Sequence, residues 1–190
     1  MNPDFESRPT PRPLFFAKER GCPKGGDGVA GRLAGGRGKN IVYLSREASQ
    51  AAAVAAGLHL GILSAEGIPR LRDLIAAPYF GALSPADSGF LHFCGVDETG
   101  RAVYVAGCGR AYPLVARALK AAARLAGLVP EDFHLVDCTS ALGPVARLGG
   151  FLWGSLRAPR RARLFLAWTL RRSYSRLALL VARTRDSVFR

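Results

Sequence analysis

The chain has 190 residues, 49% of them hydrophobic, so it can build one domain around a core of its own without disulfide staples. It carries 27 basic and 14 acidic residues, a net charge of +13 that argues for anionic partners. Its best apolar run, Ala51 to Leu63, is shorter than the roughly 20 residues of a bilayer span, and the N-terminus lacks a leader's apolar stretch, so a cytoplasmic protein is expected.

Residues 1–38 hold five prolines and then eight glycines between Gly21 and Gly38. Neither helical nor strand period survives there. Such a composition cannot bury enough surface to offset chain entropy, so a disordered tail is expected, followed by a single α/β domain over 39–190. Asn40 to Leu44 is a short β-branched run that reads as the first strand. Ala51 to Leu60 reads as an alanine-rich helix stopped by Gly61, and Arg70 to Ala77 as a short helix closed by Pro78. Gly89 to Val96 and Arg101 to Ala106 read as a hairpin around Asp97-Glu98-Thr99-Gly100. Tyr112 to Ala126 has helical apolar spacing at Leu114, Val115, Ala118, Leu119, Ala122 and Leu125. Phe133 to Val136 reads as a strand, Leu142 to Leu156 as an irregular helix, Leu164 to Trp168 as a fifth strand and Thr169 to Thr184 as the last helix. The alternation predicts a three-layer α/β fold: a mainly parallel sheet of about five strands, one antiparallel hairpin, and helices on both faces.

Several short segments occur in the order seen in one family. They are Ala55-Ala56-Gly57-Leu58-His59-Leu60-Gly61, Pro78-Tyr79-Phe80, Gly95-Val96-Asp97-Glu98-Thr99-Gly100 with Val103-Tyr104, Val136-Asp137, and Gly149-Gly150-Phe151-Leu152. Together, over about residues 40 to 184, the chain resembles the Firmicutes family called domain of unknown function 3189 (DUF3189), as a divergent member. In that family the first strand leads into a loop with His, Cys, paired Gly and His-Ser ahead of the alanine-rich helix. The resemblance implies an anion cradle there, with backbone N–H groups and the helix dipole facing a phosphate. Here Ser45 stands for the Cys, Glu47 and Ala48 for the glycines, and Gln50 for the second His. A loop without glycine reaches positive φ only at a cost, and Glu47 repels anions.

In open α/β sheets ligands sit beyond the carboxyl ends of the strands. Those ends supply Ser45, Arg46, Ser49, Cys108, Arg110, Asp137 and Thr139 as candidate ligand-binding residues. The arginines suit an anion and Asp137 suits a water or hydroxyl. The bland alternatives are helix capping by Ser45 and Thr139 and a turn hydrogen bond from Asp137. His59, among apolar residues of the alanine-rich helix, reads as a satisfied core histidine. The cysteines (Cys22, Cys94, Cys108, Cys138) form no C-x-x-C pair and no two histidines share a motif, so no metal and no cofactor is expected.

Charge is placed unevenly. Residues 1–38 hold 7 basic and 4 acidic groups, and residues 39–150 hold 10 and 9. Residues 151–190 hold 10 arginines against Asp186 alone. On a continuous helix from Thr169, Arg172, Arg176 and Arg183 share one stripe, preceded by Arg160 and Arg161. Three functional readings stay open. The first is a domain that binds a small anionic or phosphorylated ligand at the strand ends, with catalysis weak or lost. The second is a polyanion module that uses Arg160, Arg161, Arg172, Arg176 and Arg183 on nucleic acid or an acidic membrane. The third is a hydrolase or transferase that uses Asp137 with Ser45 or Cys108.

Overall fold

The structure, a computed structural model, describes residues 40–46, 48–83, 87, 89–109, 111–125, 132–144 and 159–189, apart from the side chains of 48, 49, 159–163 and 189. The expected tail, Ser49's side chain, Arg110, the side chains of Arg160 and Arg161, and the expected helix beyond residue 144 lie outside this set.

Strand β1 (Asn40–Ser45) is one of the two inner strands of a four-stranded sheet. Its β-branched and aromatic residues suit a pleated surface, and all six of its residues are buried. β2 (His92–Val96), β3 (Ala102–Gly107) and β4 (Phe133–Asp137) complete the order β2-β3-β1-β4. β1 runs parallel to β3, with Tyr43 opposite Val105, and parallel to β4, with Leu44 opposite Asp137. β2 and β3 are antiparallel, with an irregularity between Phe93 and Gly95. Their turn closes through the Asp97 N–H donating to Arg101 O (2.9 Å) and the Gly100 N–H donating to Asp97 O (3.0 Å). Gly100 supplies the φ of 82° which that turn requires.

The period-2 alternation sorts side chains to two faces. Ile41, Tyr43, Val103, Val105 and Val136 join the larger cluster, with residues of α1 (Ala53–His59), α2 (Leu71–Ile75), α4 (Pro159–Arg171) and α5 (Tyr174–Phe189). Val42, Leu44, Ala102, Tyr104 and Ala106 join the smaller cluster, with Tyr112, Val115 and Leu119 of α3 (Tyr112–Leu125). Fully burying a side chain such as Leu44 or Leu166 contributes about 1.5–3 kcal/mol. The small residues of α1 allow close approach. A Cβ on Gly57 would lie 3.1 Å from a Leu63 methyl and 3.3 Å from the Ala77 Cβ.

Two expectations are corrected. Leu164–Trp168 is not a fifth strand, because it lies inside helix α4, and the described residues form four strands. Buried Leu166, Ala167 and Leu170 face the core while Leu164, Phe165 and Trp168 do not, a helical and not an alternating pattern. Nor is there a continuous helix over Thr169–Thr184. α4 ends at Arg171 and α5 begins at Tyr174, so Arg172 falls in the turn and only Arg176 and Arg183 share a helix. The break is held by Ser173, whose Oγ accepts the Gly143 N–H at 3.0 Å. The Tyr174 hydroxyl then donates to Ser64 O at 2.6 Å, fixing the start of α5.

Candidate functional site

The parallel strands β3, β1 and β4 end on one rim. Beyond β3, Cys108 N–H donates to Ser45 O (2.8 Å) and Gly109 N–H donates to Arg46 O (3.0 Å). On the other flank Cys138 N–H donates to Leu44 O (2.7 Å). Ser45, Arg46, Cys108, Asp137 and Thr139 are therefore neighbours along one edge of the sheet. β1 leads through a kinked turn (Ala48–Ala52) into α1 on one face, whereas β3 leads into α3 on the other. Adjacent parallel strands whose connections leave to opposite faces form a topological switch point, where such sheets open a crevice.

Each rim side chain has a local partner. Ser45 is buried, and its Oγ accepts the Ala52 N–H at 3.3 Å, capping the turn that begins α1. Inside the turn Gln50 leaves helical geometry, with φ −113° and ψ −108°. Asp137 Oδ1 accepts the Thr139 N–H at 2.8 Å, and the Ser140 hydroxyl donates to Asp137 O at 2.9 Å. Arg46 stands half-buried where β1 ends.

The thiols at the rim are held protonated. Burial, with the Asp137 carboxylate next, pushes the Cys108 thiol up to about 11. Burial and then Asp137 also push Cys138 well above the ordinary thiol range. The Cys108 thiol lies 3.1 Å from Ser45 O, to which it donates. A poor supply of thiolate at neutral pH makes these cysteines weak nucleophiles. Cys94, Cys108 and Cys138 are all free, and the described residues contain no group of three His, Cys, Asp or Glu able to hold a metal ion.

A second polar cluster lies away from this rim, where β2 turns into β3. His59, at the end of α1, is buried between Tyr43 and Asp97. The Tyr43 hydroxyl donates to Nδ1 at 2.8 Å, and Nε2–H donates to Asp97 Oδ2 at 3.2 Å. The acceptor Nδ1 and donor Nε2–H define a neutral imidazole. Burial, above all, lowers the His59 pKa below 6.5, outweighing its bond to Asp97. Burial and nearby Cys138 raise Tyr43, which keeps its proton to donate. Burial on its own would raise Asp97 too. Its bonds from the Thr99 hydroxyl (2.6 Å), the Thr99 and Arg101 N–H groups (2.9 Å each) and His59 outweigh that and hold it below its ordinary value. Arg185 donates to His59 O at 3.1 Å, tying α5 to the same junction. His59 is thus a satisfied core histidine. Its partner Asp97, read in the sequence only as a turn residue, was missed. No local spacing connects the two, which lie 38 residues apart.

The arginines of the C-terminal segment point outward where described: Arg171, Arg172, Arg176 and Arg183 are exposed. Arg172 lies over the Trp168 ring, 4.7 Å from its centroid. No described helix is long and apolar enough to cross a membrane.

No curated protein and no solved structure matches the chain. The family described as "Protein of unknown function (DUF3189)" matches over residues 40–186, and the chain belongs to that family.

Proposed function

We propose that the domain binds a small phosphorylated ligand across the rim between β1 and β3, with Arg46 taking the phosphate and Asp137 taking a hydroxyl. The observation that carries this reading is the switch point. α1 and α3 leave adjacent strand ends toward opposite faces, and such crevices are where open α/β sheets take their ligands. Asp137 Oδ1 is already engaged with Thr139, which leaves Oδ2 to face a ligand hydroxyl. The protonated thiols and the engaged Ser45 hydroxyl favour binding over covalent catalysis.

A thermal-shift panel of inorganic phosphate, sugar phosphates and nucleoside monophosphates tests this. A ligand present at about one hundred times its Kd stabilises the fold by about 2.7 kcal/mol. For a chain of this length that is a rise in Tm of roughly 5–10 °C. Arg46→Gln should abolish the rise. Flat melting curves across the whole panel at millimolar ligand would remove the proposal.

A further inference from the structure

Helix α4 is apolar on two sides. One side, Leu166, Ala167 and Leu170, is fully buried in the core. The other carries Leu164 at 50%, Phe165 at 39% and Trp168 at 43% exposure. At 100° per residue these three positions fall within about a third of a turn, joined by Arg171 and followed by Arg172. The Phe165 and Trp168 rings stack at 6.1 Å and 25°, and Arg172 covers Trp168, so the three form one contiguous patch. The helix PRRARLFLAWTLR contains four arginines and no acidic residue, and Arg172 follows it directly.

We propose that this outer face of α4 docks the domain on an acidic membrane surface, with Leu164, Phe165 and Trp168 entering the interface and Arg171 and Arg172 meeting lipid phosphates. Charge complementarity selects the occupant. Exposed apolar side chains bordered by Arg171 and Arg172 match a surface that is anionic outside and apolar just beneath. Tryptophan is a side chain suited to that boundary, with an apolar body and a polar N–H. A helix of 13 residues is about 20 Å long, so it can lie in the plane of the interface without crossing it. Nucleic acid is the weaker fit, because Leu164 gains nothing from a phosphate backbone and Arg172 already covers one face of Trp168. The inference is independent of the ligand rim, so either can fail alone.

The test uses the full chain carrying Trp153→Phe, so that Trp168 is the only tryptophan. It is mixed with vesicles of phosphatidylcholine alone and of phosphatidylcholine with phosphatidylserine. The expected result is co-sedimentation and a blue-shifted Trp168 emission with the acidic vesicles alone, both weakening as salt rises. Trp168→Ala and the pair Arg171→Gln, Arg172→Gln should each lower vesicle affinity about tenfold while the circular dichroism stays native. Unchanged Trp168 emission with acidic vesicles would overturn the proposal. So would undiminished binding by the folded variants. Burial of Trp168 in a concentration-dependent dimer, or against RNA in the absence of any vesicle response, would also overturn it.

Discussion

The Tyr43–His59–Asp97 chain makes a quantitative claim about the fold. Replacing His59 with Phe removes the acceptor of a hydroxyl buried on a fully covered tyrosine, and one of the donors to Asp97. An unsatisfied buried polar group costs about 1–3 kcal/mol. Asp97 keeps its three bonds at Oδ1, but its Oδ2 loses the His59 donor, so the cost is shared between Tyr43 and Asp97. Tyr43→Phe alone strands the imidazole Nδ1 at a similar cost. The double variant strands neither group, because both partners are then apolar. The two changes should therefore be strongly non-additive, with a coupling of about 1–3 kcal/mol measured by urea unfolding of the four species. Stabilities that add to within about 0.5 kcal/mol would mean that the hydrogen bond contributes nothing.

The same residue predicts a pH dependence. The folded-state pKa of His59 lies below the 6.5 of the unfolded chain, so the unfolded state takes up the proton first. Stability should be full above about pH 6.5 and fall below it by up to about 1.4 kcal/mol per pH unit, a loss that His59→Phe removes, as unfolding midpoints across pH will read. Among the described cysteines Cys94 is half-exposed whereas Cys108 and Cys138 are buried, so iodoacetamide should label Cys94 before either of them, as peptide mass spectrometry will resolve. At about pH 8 a thiol near 11 is ionised in roughly one molecule in a thousand, so Cys108 should react only on unfolding. Gly57→Val should cost about 1–3 kcal/mol in urea unfolding, because the added methyls must displace Leu63 and Ala77.

The parts of the fold carried by local chemistry could be read directly. β1 announces itself by Ile41-Val42-Tyr43, and the hairpin by Asp97-Glu98-Thr99-Gly100 between two β-rich runs. α3 forms where its apolar spacing predicts a helix, though Leu114 and Leu125 of that spacing are exposed, and β4 begins at Phe133 as expected. The parts that failed depend on length or on distant partners. Leu164-Phe165-Leu166-Ala167-Trp168 is a five-residue apolar run, too short for periodicity to separate strand from helix. Pro159, at the first position of α4, and buried Leu166 and Leu170 at i, i+4 were the available signals for the helix. The break at Ser173 answers to Gly143, thirty residues away, and cannot be inferred from its own neighbours. At the rim, the candidate residues at 45, 46, 108, 137 and 139 do share one edge. What their sequence positions did not reveal is how many of their polar atoms are already occupied by local backbone groups.

β1 joins β3 to β4 in the sheet, yet it leaves the ribosome long before either of them. Its partners in β3 and β4 lie about 60 and 90 residues further on. At ordinary translation speeds that is a wait of several seconds with a short aggregation-prone stretch unprotected. The β2–β3 hairpin, by contrast, can close as soon as its turn emerges. Nascent chains should therefore gain a preformed hairpin first and recruit Ile41-Val42-Tyr43-Leu44 onto it late. That order makes the early, exposed life of β1 the stage at which a chaperone has most to do.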